Sequence, residues 1–166
     1  NVLDWSTNWL MKLNVSKCKV LSVHSNRNHI VSYGYNVSES VTLERAEHMK
    51  DLGVTVSSNL IFKNHIYDKI NVAFRMLGII KRNFYSIDTF TFLTLYKSFV
   101  RCHIEYANSV WNPPTSGLIR DIERVQKRAT KYVQGCKHMS YIERLKYLNL
   151  PTLRFHRLRG GMIEVY

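Results

Sequence analysis

Residues 49–80, MKDLGVTVSSNLIFKNHIYDKINVAFRMLGII, change their apolar period midway. Over Met49 to Val56, Leu52, Val54 and Val56 alternate with other residues, the period of a strand with one buried face, and Gly53 marks a bend or bulge. From about residue 62 the repeat lengthens: Ile66, Ile70, Ala73, Phe74, Leu77 and Ile80 recur at helical spacing and line one side of a helix. Strand chemistry therefore precedes helix chemistry. The chain reads as α+β, with a short strand-rich region over 1–62 and a mainly helical bundle over 63–166.

Working upstream, Asp4 is placed to cap a helix running to Leu13, with Trp5 and Trp9 one turn apart and Asn14 as its stop. Lys17 to Val23 reads as a strand. Cys18 and Val20 point one way and Leu21 and Val23 the other, so both faces ask for cover. Ser25 to Asn28 is a polar turn cluster, and Ile30–Val37 and Ser40–Ala46 read as two more strands around Gly34 and Asn36.

Downstream, Asp88 caps a second helix. Phe92, Leu95, Tyr96, Phe99 and His103 mark one face and Leu93, Val100 and Ala107 a neighbouring one, so this helix should be largely buried. Trp111-Asn112-Pro113-Pro114 ends it, because two prolines cannot continue a helix. A third helix runs from Ser116 or Gly117 to Val133 and a fourth over Tyr141 to Tyr147. Leu150-Pro151-Thr152 then restarts a final basic helix.

The 166 residues leave room for one compact domain or two small ones. The net charge of +12 is unevenly spread. Residues 1–68 hold seven Lys/Arg against six Asp/Glu, a net of +1; residues 69–166 hold seventeen against six, a net of +11. A basic half beside a neutral half points to a polyanionic partner, nucleic acid before a membrane surface. The longest apolar-looking stretch, Phe90 to Val100, is broken by Thr91, Thr94, Lys97 and Ser98, against the ~20 residues a membrane span needs. Asp4, Trp5 and Asn8 interrupt any leader-like apolar core, and residue 1 is Asn, which we read as the start of a fragment.

Cys18, Cys102 and Cys136 are odd in number and widely spaced, which fits a reducing, intracellular compartment. Cys136 and His138 have no second pair at zinc-site spacing, so no metal site is expected. The sequons at Asn14 and Asn36 read as chance matches.

The third helix carries the sharpest signal. Ile119, Ile122, Ala129 and Val133, with Val125 or Gln126 between, form an apolar stripe. Arg120, Arg124, Lys127, Arg128 and Lys131 form a basic one, able to track phosphates without reading bases. Asp121 and Glu123 sit near the helix start, where its dipole favours acids. Arg154, Arg157 and Arg159 make a second basic cluster. Catalytic machinery is missing from the sequence. Asp4, Asp51, Asp68, Asp88 and Asp121 are scattered, whereas two-metal phosphoryl chemistry holds its ions ~4 Å apart between neighbouring carboxylates. There is no Gly-rich phosphate loop, His-Glu-x-x-His or Gly-x-Ser-x-Gly either.

Several segments recur in a telling order: Trp9-Leu10-Met11-Lys12-Leu13-Asn14-Val15-Ser16-Lys17-Cys18-Lys19-Val20, Lys50-Asp51-Leu52-Gly53-Val54 and Leu95-Tyr96-Lys97-Ser98-Phe99-Val100-Arg101. Ile104-Glu105-Tyr106-Ala107, Val110-Trp111 and Ile122-Glu123-Arg124-Val125-Gln126-Lys127-Arg128-Ala129-Thr130-Lys131 follow. Tyr141-Ile142-Glu143-Arg144-Leu145, Leu150-Pro151-Thr152-Leu153 and Arg157-Leu158-Arg159-Gly160 complete the set. Together they resemble the region after the catalytic motif of jockey-like LINE, non-LTR retrotransposon reverse transcriptases, over nearly the whole chain.

The resemblance implies a partial polymerase palm over 1–62, followed by a helical thumb and its continuation. Residues 4–24 would be motif D, with Lys17, or less so Lys19, as the lysine assisting pyrophosphate departure. Lys50, Asp51, Leu52, Gly53 and Val54 would belong to the primer-grip hairpin. From about residue 63 the chain would hold the RNA template and DNA primer. Its basic stripe suits that duty, because RNA–DNA hybrids are gripped by backbone and shape.

The parent polymerase would use Mg²⁺. Its Tyr/Phe-Ala-Asp-Asp, the rest of its palm and its fingers are expected upstream of residue 1, so this chain has no cofactor of its own. The expected setting is a nuclear or cytoplasmic ribonucleoprotein. One departure is Gly161 after Gly160, where the family often has Arg-Gly-Asp. The alternatives are a non-enzymatic nucleic-acid-binding module and a non-functional genomic remnant.

Overall fold

The computed structural model describes residues 2–11, 14–23, 34–37 and 39–165. The chain is α+β and divides into two compact units, Asn1–Leu60 and Ile61–Tyr166. Among the described residues no helix is long and apolar enough to cross a membrane.

In the first unit, α1 spans Val2–Asn8, not the 4–13 expected from sequence. Asp4 lies inside the first turn, where a carboxylate meets the positive end of the helix dipole, and does not stand ahead of it as a cap. Leu10, at φ 54, turns the chain out before Met11. The rings of Trp5 and Trp9 do lie together, 6.4 Å between centroids.

The strand expected over Lys17–Val23 shrinks to β1 (Lys19–Val20), paired in parallel with β4 (Glu44–Arg45). Lys17 closes a 3₁₀ turn, Val15–Lys17, and Val23 is half exposed. Apolar alternation makes a segment able to be a strand, but its partner decides its length, and β4 offers two residues. The expected strand over Ser40–Ala46 is divided between β4 and β3 (Glu39–Thr42), which pairs antiparallel with β2 (Gly34–Val37). The turn expected at Ser25–Asn28 and the residues from Ile30 to Tyr33 lie outside the described residues.

Met49 to Val56 is not one strand. β5 (His48–Asp51) and β6 (Val54–Ser57) form an antiparallel hairpin, from His48 opposite Ser57 to Asp51 opposite Val54. Leu52 and Gly53 make the turn with φ of 43° and 82°, the positive pair that a type I′ turn demands. Glycine adopts this without strain; for Leu52 it costs roughly 1–2 kcal/mol. The period-two pattern ran across this turn unbroken, which is why it looked like a single strand.

In the second unit, α2 (Lys63–Asn83) buries Ile66, Ile70, Ala73, Leu77 and Ile80, the expected stripe apart from Phe74, which is only partly covered, and buries His65, which was not expected. Asp88 caps α3 (Thr89–Leu95) as expected, its carboxylate accepting from Thr91 N at 3.1 Å. The helix then runs through a π-helical stretch, Tyr96–Arg101, into α4 (Cys102–Glu105). It breaks at Ala107, φ 52°, ahead of the one-turn α5 (Asn108–Trp111).

The buried residues of this helix are Phe92, Tyr96, Val100 and Ile104, spaced strictly by four. An α-helix drifts about 40° over each such step. The wider i→i+5 turns take up that drift and keep all four on one line. Phe99, expected on the buried face, is 53% exposed in consequence, and Ala107 leaves the helix altogether.

α6 (Ser116–Ala129) starts at Thr115, whose hydroxyl accepts from Leu118 N, and continues as a 3₁₀ turn over Thr130–Tyr132. It buries Leu118, Ile122, Val125, Gln126 and Ala129, with Leu118 in the place expected for Ile119. α7 (Tyr141–Tyr147) has the bounds read from sequence, opened by a reciprocal capping box between Ser140 and Glu143. α8 (Leu153–Val165) follows Pro151. α2 packs on α6 and on the π-helical stretch, and α8 packs on α5 and α6. Between them, Phe92 stacks on Tyr96 at 5.5 Å and Trp111 lies 5.6 Å from the ring of His65.

Candidate nucleic-acid interface

α6 is amphipathic in a way that separates its duties. At 100° per residue, Leu118, Ile122, Val125 and Ala129 centre on one side. Arg120, Arg124, Lys127, Arg128 and Lys131 fall within an arc of roughly 100° on the other. The first set is buried, with Leu118 where the sequence pointed to Ile119, and all five cations are exposed.

Of the two acids flanking that arc, Asp121 also pairs with one of its cations and Glu123 is occupied elsewhere. Asp121 accepts from Tyr67 Oη on α2 at 3.1 Å and pairs with Arg124 at 3.3 Å. Glu123 accepts from Leu153 N and Arg154 N, both at 3.3 Å, so its carboxylate satisfies first-turn amides of α8 and docks that helix. It also accepts a hydrogen bond from the hydroxyl of Tyr141, whose acidity burial and Glu123 together suppress. The sequence put Asp121 and Glu123 near the start of α6, but neither lies in its first turn, and Glu123 serves the start of α8 instead.

A buried polar network fixes what lies behind the cations. Gln126 accepts from Tyr96 Oη at 2.6 Å and donates to Pro151 O at 2.8 Å and Tyr141 Oη at 3.2 Å. Arg144, 4% exposed, donates to Thr130 Oγ1 at 3.0 Å, Lys127 O at 3.4 Å and Met139 O. A guanidinium thus closes the C-terminal end of α6, where carbonyls lack helical partners and a cation suits the dipole. Two of the surface cations also lean on rings: Lys127 over Tyr141 at 5.3 Å and Arg128 over Phe74 at 5.5 Å.

The second expected basic cluster does not survive intact. Arg154 and Arg159 are exposed, but Arg157 is 3% exposed and its Nε and Nη1 are buried without hydrogen-bond partners among the described residues. Burial weakens its hold on its proton, against the favourable fields of Glu123 and Glu105. Arg157 faces the bundle because the turn that exposes Arg154 and Leu158 on α8 carries it inward beside Leu153. Glu105 lies against Arg101 Nε at 3.1 Å and His156 Nδ1 at 3.0 Å. Burial raises its carboxyl above the usual range while Arg101, His156 and Arg157 pull it down.

The remaining expected residues belong to the first unit. Lys17 is exposed at the end of its 3₁₀ turn, with its amide donating to Asn14 O at 3.0 Å. Lys50, Asp51, Leu52, Gly53 and Val54 form the turn end of the β5–β6 hairpin. Lys50 and Leu52 are exposed and Val54 buried. For Mg²⁺ the carboxylates do not fit: Asp88 is a helix cap, Asp121 is engaged by Tyr67 and Arg124, and no cluster of three metal-ligating groups forms among the described residues. Cys136, of the Cys-x-His pair, is buried while His138 is exposed. No family model, curated protein or solved structure matches this chain.

Proposed function

We propose that the helical unit holds a nucleic-acid duplex by its phosphates, and that the chain is the palm-end and thumb portion of a LINE-type reverse transcriptase. The observation that carries the first part is the face of α6: five exposed cations on one arc, with Asp121 paired to one of them, Arg124, and Glu123 turned to the amides of α8. A surface of this kind neutralises phosphates and reads no bases, which is what a polymerase must do with every template. The hairpin turn at Leu52-Gly53, with Lys50 exposed beside it, supports a primer-grip role. Lys17 keeps its assisting role only within that reading. The catalytic carboxylates and Mg²⁺ would be supplied by sequence outside these 166 residues.

A non-enzymatic nucleic-acid module is the second reading. It is favoured by the helical unit's own core, which gives the α6 face a support independent of any palm.

The test common to both is the salt dependence of duplex binding. With Arg124, Lys127, Arg128 and Lys131 all replaced by Gln, affinity should fall for every sequence. If three of the four touch phosphate, the log–log salt slope should drop in magnitude by roughly two to three. An unchanged slope with intact helicity would make these residues ordinary solvated surface.

A further inference from the structure

At the C-terminal end of the α6 stripe lies a cleft that shares Lys131 with that stripe. The connection between α2 and α3 runs beside the segment after α6 and is tied to it. Gln134 N donates to Ile87 O at 3.2 Å, Ser86 Oγ donates to Gln134 Oε1 at 2.8 Å, and Ile87 bridges Val133 in parallel. On this anchored loop Tyr85 stands fully exposed. Two adjoining cavities, of about 360 and 340 Å³, share Tyr85, Ile87, Tyr132 and Lys137 in their walls. Lys81, Arg82 and Lys131 line the larger one, and no carboxylate lines either. Lys81 Nζ sits over the Tyr132 ring, 6.0 Å from its centroid.

Four cations without a neutralising acid, in a concave site with two tyrosine rings, make a place for phosphates and for flat apolar faces together. Single-stranded nucleic acid offers both, because its bases are unstacked and can lie on aromatic rings while the backbone follows the charges. A duplex keeps its bases inside and cannot offer them to Tyr85. An anionic membrane would call for a broad exposed apolar face rather than a cleft.

We propose that this cleft binds a single strand, continuing from the duplex on α6 through Lys131, which belongs to both surfaces. The continuity rests on the duplex reading; the cleft itself does not.

The test uses the full chain with three probes: a short oligouridine, a blunt duplex, and that duplex with an oligouridine overhang. Tyr85→Ala should weaken oligouridine binding on the order of tenfold and abolish the gain from the overhang, with the blunt duplex unaffected. Tyr85→Phe should bind as the parent protein does, because stacking needs the ring and not the hydroxyl. Helical circular dichroism checks the fold, which an exposed side chain does not support.

Unchanged oligouridine binding by Tyr85→Ala would overturn the proposal. So would an equal loss on the blunt duplex, or displacement of oligouridine by phosphatidylserine vesicles as readily as by RNA. Absent blunt-duplex binding with Tyr85-dependent oligouridine binding would end the duplex reading and sustain the cleft.

Discussion

The strand-rich unit and the helical unit bury their side chains on different terms. Across residues 4–11, 16–23 and 43–60 the buried side chains are Val54 and Ser57, both on β6, while Trp5, Trp9, Leu10 and Met11 stay exposed. In the helical unit Ile66, Leu77, Phe92, Tyr96, Trp111 and Ile122 are at most 2% exposed. Among the described residues the strands of the first unit pair two by two, and a pair of strands is marginal in water unless something covers a face. A helix satisfies its backbone from within and needs only one covered stripe, which α2, α6 and the 89–105 helix supply to one another. Strands therefore depend on distant partners in a way these helices do not.

Native-state hydrogen exchange should give the largest contrast. Amides of α2 and α6 are expected to exchange several powers of ten more slowly than those of β5 and β6, because the former open only with the whole bundle. Equal protection would break the comparison and show that residues 1–60 hold together by themselves.

A pair of core substitutions sharpens it. Ile122→Ala, at a site with no exposure, should cost the helical unit about 2–5 kcal/mol in urea unfolding followed by circular dichroism. Val54→Ala should leave that same transition where it is. A shared loss would mean one cooperative unit instead of two.

The smallest effect concerns the weaker partner. Leu52 holds φ 43° at an exposed turn. Asparagine tolerates that conformation better, so Leu52→Asn should stabilise the hairpin by on the order of 1 kcal/mol. Slower exchange of the hairpin amides would register the gain; no change would mean that the turn residue is not what limits the hairpin.

Much of the helical unit was legible because its signals are local. The Asp88 cap acts within one turn of chain, and the bounds of α7 and the restart of helix after Pro151 could be read from the residues beside them, whereas the helix that Pro113-Pro114 was expected to end had already broken at Ala107. The α2 stripe and the α6 cations follow from spacing on a single helix. The strand-rich unit was less legible for the converse reason. Lys17–Val23 carried enough alternation for seven residues of strand, yet only Lys19 and Val20 found a partner. The alternation over Met49–Val56 hid a turn, since a two-residue turn preserves the period of two.

Sequence alone determined the change from strand to helix near residue 62, the cationic face of α6 and the Asp88 cap of α3, because a period or a cap is a property of consecutive residues. Tertiary structure alone decided the rest. It turned Arg157 inward beside two acids and set Glu123 on the amides of α8. It stretched 96–101 into π-helix so that four side chains could stay on one line, and brought Tyr85 and Tyr132 to one cleft. Each of these rests on contacts between residues far apart in the chain, whose meeting depends on how whole helices pack and leaves no period in the sequence to read.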